Sequence, residues 1–355
     1  LGNRSHRYRV FREWLLRNCK LAGMVSFPRF TFKSSGADVS ASVLFLEKRE
    51  KPLKNLVDEE YSFFVELIEN LGWEAGNKKA ATIYQRNLED GSFIVDDDGN
   101  FIIDSDFKAA LNRIRSSEAA NHFDWLTEGQ EHTNNEESWS VDISEVLGDS
   151  DLTLDPKRYC KKVFSLRQKL AANDHVLLGD IVDFMPERTN SIGQPVSADS
   201  PTEYSYIEIA DIGYGDFHSK KLMGWELPSR ARHFAENGDI YFGSIWGSVS
   251  KWCYFGDGYE DYVVTNGCHR CRIKAGKEKY LVDLIAYMNT EGWSTQLRSL
   301  ARGSDGLAEV IVEDAKKIII PQLTNEKVRR EIDPFVKNLK KGRVTVKSAI
   351  SALLE

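Results

Sequence analysis

The chain has 355 residues, 41% hydrophobic and 28% charged, enough apolar material for two or three cored domains and none of the bias of a disordered protein. No run approaches the roughly 18 consecutive apolar residues of a membrane span and no apolar secretory segment opens the sequence, so the expected location is cytoplasmic, with no membrane partner. The net charge of −7 is uneven: residues 1–150 carry 18 Lys and Arg against 26 Asp and Glu, whereas residues 151–355 carry 29 against 28, so the second part is the better partner for a polyanion.

Arg7 to Ala22 places Val10, Trp14, Leu15 and Leu21 at helical spacing, and Gly23 is expected to end that helix. Because the sequence runs into this amphipathic segment almost at once from Leu1, it reads as the C-terminal part of something longer. Met24-Val25-Ser26-Phe27 and Ser42-Val43-Leu44-Phe45-Leu46 are expected as buried strands. Glu59, Tyr61, Phe64, Leu67, Ile68 and Leu71 repeat at intervals of three and four, which predicts a second helix ending at Gly72. Asp98-Gly99 between Ser92–Val95 and Phe101–Asp104 is a hairpin signal. Asp96, Asp98 and Asn100 lack the glycine and distal glutamate of a calcium loop. Phe107 to Phe123 is helical again, and the acidic segment 128–153 is the expected interdomain linker.

Pro156 opens a basic helix through Leu170. From Val176 the texture turns to short strands broken by Gly, Pro and Asn: strands at about 176–184, 204–212, 239–246, 261–265 and 268–273, and helices at 278–291 and 293–301. Two amphipathic helices, 325–341 and 344–354, end the chain. The expected domains are therefore 1–127, 154–324 and a helical tail, 325–355.

A DNA adenine methyltransferase needs a glycine-rich turn for S-adenosylmethionine and an (Asn/Asp)-Pro-Pro-aromatic loop that holds the flipped base. The sequence has no Pro-Pro pair, and the clusters Gly213-Tyr214-Gly215 and Gly243-Ser244-Ile245-Trp246-Gly247 do not open a strand–turn–helix unit, so no catalytic and no cofactor-binding residue is assigned. Five cysteines, Cys19, Cys160, Cys253, Cys268 and Cys271, are irregularly spaced and form no disulfide framework. Cys268-His269-Arg270-Cys271 is a lone pair of thiols, with only Cys253 and His233 as distant helpers, and is not read as a zinc site.

Several words resemble known families. Arg12-Glu13-Trp14-Leu15-Leu16, Leu21-Ala22-Gly23-Met24-Val25-Ser26-Phe27-Pro28, Phe32, Ser40 to Lys48 and the run Tyr61–Gly72 are similar to the segment after the catalytic loop in modification subunits of type I restriction systems. From Leu154-Asp155-Pro156-Lys157-Arg158-Tyr159 the resemblance shifts to the specificity subunits of those systems. It is carried by Leu178-Gly179-Asp180-Ile181-Val182, Tyr206 to Ile212, Pro228-Ser229-Arg230-Ala231-Arg232, Gly238-Asp239-Ile240, Ala301-Arg302-Gly303-Ser304 and Ile318-Ile319-Ile320-Pro321. Their order resembles enzymes in which modification and specificity subunits are fused.

The fold implied is an α/β remnant of a methyltransferase sheet followed by an α+β target recognition domain with terminal amphipathic helices. The function implied is sequence-specific recognition of double-stranded DNA within an adenine-specific methyltransferase. S-adenosylmethionine would be expected for the intact protein and not for this part. An alternative makes the chain an assembly module whose helices dock to a second copy, giving a homodimer, or to restriction or modification partner subunits.

Base edges are read by Arg, Lys, Asn, Gln or Ser at loop and helix tips, with nearby cations on the phosphates. The candidates are Arg188, Asn190, Lys220, Lys221, Arg230, Arg232, Ser248, Lys251, Arg298 and Arg302. For each taken singly the plainer reading is an ordinary solvated surface residue, and Arg230 and Arg302, within the family-like words, could be structural. Trp246 and Trp252 could stack on bases or belong to the core.

Overall fold

A computed structural model of the chain describes all residues except 1, 3–4, 29–30, 33–34, 37–39, 57–58, 75–80, 127–137, 188–200, 260, 304–307 and 341–355; the statements below concern the described residues. Two compact units emerge: Leu1–Phe164 with Arg302–Asp305, and Ser165–Ala301 with Gly306–Glu355. No described helix is long and apolar enough to cross a membrane.

In the first unit, α1 (His6–Asn18) passes directly into β1 (Cys19–Ser26), followed by β2 (Ser42–Lys48), β3 (Ser62–Leu67), α2 (Phe107–Arg115), β4 (Ser140–Asp142) and α3 (Ser144–Leu147). The sheet order is β2-β1-β3-β4, with β3 parallel to β1 and the other pairings antiparallel. Gly23 is therefore inside a strand and does not stop a helix. It lies opposite Phe64 in the register, and a Cβ there would come within 2.3 Å of that ring, so glycine is what lets the aromatic lie flat against the backbone.

The helix expected over 59–71 is the strand β3. Residues 62–66 are all buried, because Phe63 and Val65 face one core with Met24 and Tyr61, while Phe64 faces the other with Val25, Ile114 and Ala119. A strand buried on both faces loses the alternation by which strands are recognised. The hairpin at Asp98-Gly99 forms, with Val95 opposite Phe101 and Gly99 at φ +79°. The linker reading of 128–153 is corrected where the segment is described: Val141, Ile143, Val146 and Leu152 belong to the first unit's core, and the division falls at Phe164.

After α4 (Lys161–Ala171), the second unit contains β5 (His175–Leu177), α5 (Leu178–Ile181), β6 (Val182–Phe184), β7 (Glu203–Ile207), β8 (Tyr214–Gly215), β9 (Lys220–Met223) and β10 (Ala231–Phe234). Then come β11 (Asp239–Gly243), β12 (Trp252–Tyr254), β13 (Tyr262–Thr265), β14 (Cys268–Ile273), α6 (Leu281–Met288), α7 (Glu291–Leu300), α8 (Val312–Ala315), β15 (Ile319–Pro321) and α9 (Glu326–Lys340). The sheets run β10-β13-β7-β9 and β6-β14-β11-β12-β8, with β15 paired to β5.

Alternation along β11 and β14 explains the layering. Ile240, Phe242 and Cys271 face a core with Leu284, Trp293, Leu297, Ile320, Ile332 and Val336 from the helical layer. Tyr241 and Cys268 face the other sheet, against Ile207 and Val264. The expected strands at 239–246, 261–265 and 268–273 and the α6 and α7 helices are thus present with small shifts, whereas the strand expected over 176–184 is broken by α5 into β5 and β6 and that over 204–212 ends at Ile207; the expected helix 344–354 lies outside the described residues. The architecture is a mixture of helices and several small sheets.

Candidate nucleic-acid interface

The predicted cations fall at separate places in the second unit. Lys220 and Lys221 open β9, an outer strand of its sheet, and Arg230 and Arg232 lie at β10, the opposite outer strand. Three strand spacings separate them, about 14 Å. The side chains are not bare. Lys220 Nζ lies 3.6 Å from Glu208 and 3.7 Å from Asp211, and Lys221 Nζ lies 3.6 Å from Glu203. Arg232 donates to the Ser229 carbonyl at 3.0 Å and lies 3.5 Å from Glu187. Exposed pairs of this kind are worth about 0–1 kcal/mol. Arg230 is exposed. Arg298 projects from α7 in the helical layer, its guanidinium 5.1 Å from the ring centroid of Trp246, which is 40% exposed.

Three predicted residues serve the fold instead. Ser248 is buried and donates to the Ile245 carbonyl at 2.9 Å. Lys251 Nζ donates to the carbonyls of Ile209 and Ala210 at 2.9 and 3.1 Å. Arg302 is buried in the first unit, ion-paired to Asp151 and 3.5 Å from Asp149, so it cannot reach a base edge as it stands. Burial works to raise the Asp149 carboxyl, but Arg158, Thr153 and Arg302 outweigh it and hold it at about 2. Arg188 and Asn190 lie outside the described residues. Trp252 is a core residue. Sequence reasoning passed over Trp225, which is 56% exposed between Lys221 and Arg230; its signal was an indole in a polar stretch framed by cations.

Asp239, on β11, binds two arginines of the neighbouring strand β14. Arg270 Nε donates to one carboxylate oxygen at 2.7 Å and Arg272 to the other at 2.6 Å, with Glu236 closing on both guanidinium groups at 3.3 and 3.0 Å. Beside this network is a cavity of about 400 Å³ lined by Glu187, His233, Asn266, Arg270, Glu309 and Glu313 among others. Burial lowers the pKa of His233 to about 4, so the imidazole is neutral. Its Nδ1 has no hydrogen-bond partner among the described residues.

In the glycine clusters, a Cβ on Gly213 would meet the Asp216 carboxylate at 2.0 Å and one on Gly243 the Ser248 backbone at 2.1 Å, whereas Gly247 faces open space. Cys268 and Cys271 fall in different cores on opposite faces of β14, where they cannot share a metal ion. No group of three His, Cys, Asp or Glu among the described residues is placed to hold one.

No family model and no curated protein matches this chain. Among solved structures, it is similar to a chain from a study of complex assembly and conformational transition of the type I restriction-modification system. The identity is 19% over 47% of this chain and 42% of that one, with a TM-score of 0.36. The HsdS subunit of Thermoanaerobacter tengcongensis gives 18% identity over 48% and 43% of the two chains, with a TM-score of 0.34. The type IIG restriction endonuclease BpuSI gives 9% over 99% of this chain and 45% of its own, with a TM-score of 0.38. The chain thus spans less than half the length of each of these proteins, and at these scores the likeness alone assigns it no activity.

Proposed function

We propose that the second unit recognises a specific sequence in double-stranded DNA as part of a restriction-modification protein. One observation carries this reading. The words that resemble specificity subunits supply framework: Leu178 to Val182 forms α5 and enters β6, Tyr206-Ile207 closes β7, Asp239-Ile240 opens β11, and Ile319 to Pro321 is β15. Lys220, Lys221, Trp225 and Arg298 lie between those words and are exposed. Cations at the margins of a fixed framework are the groups that phosphate contact and base-edge reading use. The spacing of about 14 Å between the two cationic edges is of the order of a DNA groove, about 12 Å.

The first unit is proposed as the end of an adenine methyltransferase fused upstream of the recognition unit. Its helix followed by antiparallel β1 and β2 is the arrangement the resemblance implies. Methyl transfer and S-adenosylmethionine would then belong to residues that this sequence does not contain.

The assembly alternative gains nothing from α9, which spends Ile332, Val336 and Leu339 on its own unit's core and ties Arg329 to Asp283 of α6 at 2.8 Å. The test is selection of the chain against a randomised duplex pool at low salt. One enriched sequence is expected, and recovery of none would sink the proposal.

A further inference from the structure

Two parts of the first unit hold apolar side chains outside its core, and their charges are opposite. The first is α1. Leu15 and Leu16 bury one face of the helix, while Tyr8, Phe11 and Trp14, three residues apart, are 49%, 50% and 56% exposed beside it. Val10 continues the stripe, and the rings of Phe11 and Trp14 stack at 6.0 Å. Arg12 is buried, which leaves Arg7, Arg9 and Arg17 against the single acid Glu13. This surface is cationic.

The second is the arm of residues 82–104. Its three stretches pair in a ring: Gln85 donates to the Ile102 carbonyl at 2.8 Å, Ile102 to that of Ile94 at 3.0 Å, and Ile94 to that of Gln85 at 3.0 Å. Bridge partners share a face of their ladder, so the bridges Tyr84–Ile103, Arg86–Phe93 and Val95–Phe101 put all six side chains on one side. There the Phe93 and Phe101 rings lie 4.8 Å apart, and Val95, Phe101 and Ile103 are exposed. The arm carries Glu89, Asp90, Asp96, Asp97, Asp98 and Asp104 against Arg86 alone. Arg86 is already committed to the Gly91 carbonyl at 2.8 Å and to the face of Phe93 at 3.9 Å.

The chemistry of each surface selects the other. A ring closed at Gln85, Ile94 and Ile102 offers no free ladder edge there, so a partner must be held through side chains, as a helix is. The acid excess repels a polyanion and favours a cationic helix with an apolar stripe, which is what α1 presents. The turns of the arm are fixed in advance: Asp96 Oδ1 accepts from the Asp98 and Asn100 amides, and Asp90 Oδ1 from the Ser92 amide and hydroxyl. Docking on such a surface loses little conformational freedom.

We propose that the chain self-associates, with α1 of one protomer seated on the acidic arm of its partner. Phe11 and Trp14 cover Phe93, Val95, Phe101 and Ile103, and Arg7 meets the acids at 96–98. This association stands apart from the DNA reading, which concerns the second unit.

Sedimentation of the whole chain at up to roughly 100 μM tests it, with circular dichroism to confirm that each variant is folded. The parent should associate reversibly. On the helix, Phe11→Ser with Trp14→Ser should weaken association by roughly tenfold or more, as should Phe93→Ser with Phe101→Ser on the arm. Asp97→Lys with Asp98→Lys leaves the rings of the arm in place and should weaken it too. An equal mixture of the helix variant and this charge variant should associate more tightly than either alone, because an intact helix then meets an intact arm. A parent that stays monomeric throughout would overturn the proposal. So would a mixture no tighter than its components, which is the behaviour of helix-to-helix or arm-to-arm contact.

Discussion

Asp239 divides its two carboxylate oxygens between Arg270 and Arg272, so one buried acid on β11 fixes two successive same-face positions of β14. Arg270 and Asp239 have side chains 1% and 0% exposed. Asp239→Asn should therefore leave Arg270 with an uncompensated buried charge and cost roughly 3–5 kcal/mol. Urea unfolding of the intact chain checks this. A loss below 1 kcal/mol would mean that Glu236 alone can hold both guanidinium groups.

His233 gives a pH dependence with a definite sign. Its folded pKa of about 4 lies below the ordinary 6.5, so between those values the unfolded chain binds a proton that the folded chain does not. Stability contributed by this residue rises with pH across that window, and acidification from 6.5 to 4 removes on the order of 3 kcal/mol. In His233→Phe the corresponding slope should vanish. Denaturation midpoints at closely spaced pH values would reveal it, and equal slopes in both proteins would show that other groups dominate.

Arg302 should behave as a structural residue of the first unit. Arg302→Met removes a buried partner of Asp149 and Asp151 and is expected to cost about 3–5 kcal/mol, read from the unfolding transition. Asp149, held at about 2 against an ordinary 3.8, stabilises the fold above pH 3.8 and loses that contribution as the pH falls through 2. At a temperature where the variant is folded, the salt dependence of DNA binding should equal that of the parent. A changed salt slope would return Arg302 to the interface.

For the proposed DNA contacts, Lys220→Ala with Lys221→Ala should weaken binding to all duplexes alike and flatten the salt slope by roughly two units. Glu203→Gln frees Lys221 from its carboxylate and should strengthen binding by about 0.2–1 kcal/mol. Arg298→Ala should cost about 1–3 kcal/mol on the selected sequence and less on unrelated DNA. Fluorescence anisotropy at several salt concentrations separates the three. If none moves, the interface lies elsewhere on the unit.

Sequence periodicity located β2, β11, β13, β14, α6 and α7 because each buries one face or carries a compact apolar run. It failed at β3, where Tyr61, Phe64, Leu67, Ile68 and Leu71 imitate a helical stripe while every residue from 62 to 66 is buried in a parallel position. It also failed at 140–153, where Asp142, Glu145, Asp149 and Asp151 are interspersed with the apolar anchors Val141, Ile143, Val146 and Leu152 and mask their pattern. For the candidate site, charge type was legible but pairing was not. Nothing local to Arg302 announces Asp149 and Asp151, which precede it by some 150 positions, and nothing local to Lys251 announces the carbonyls of Ile209 and Ala210.

The opposite facing of Cys268 and Cys271 makes β14 a built-in reporter. Both thiols are buried while the strand is paired with β11, and Cys271 is flanked by β6 as well, and neither can reach the other. A thiol-specific reagent must wait for β14 to detach before it reaches Cys271, so the labelling rate of that cysteine measures how often the second unit opens, in the native protein and without denaturant.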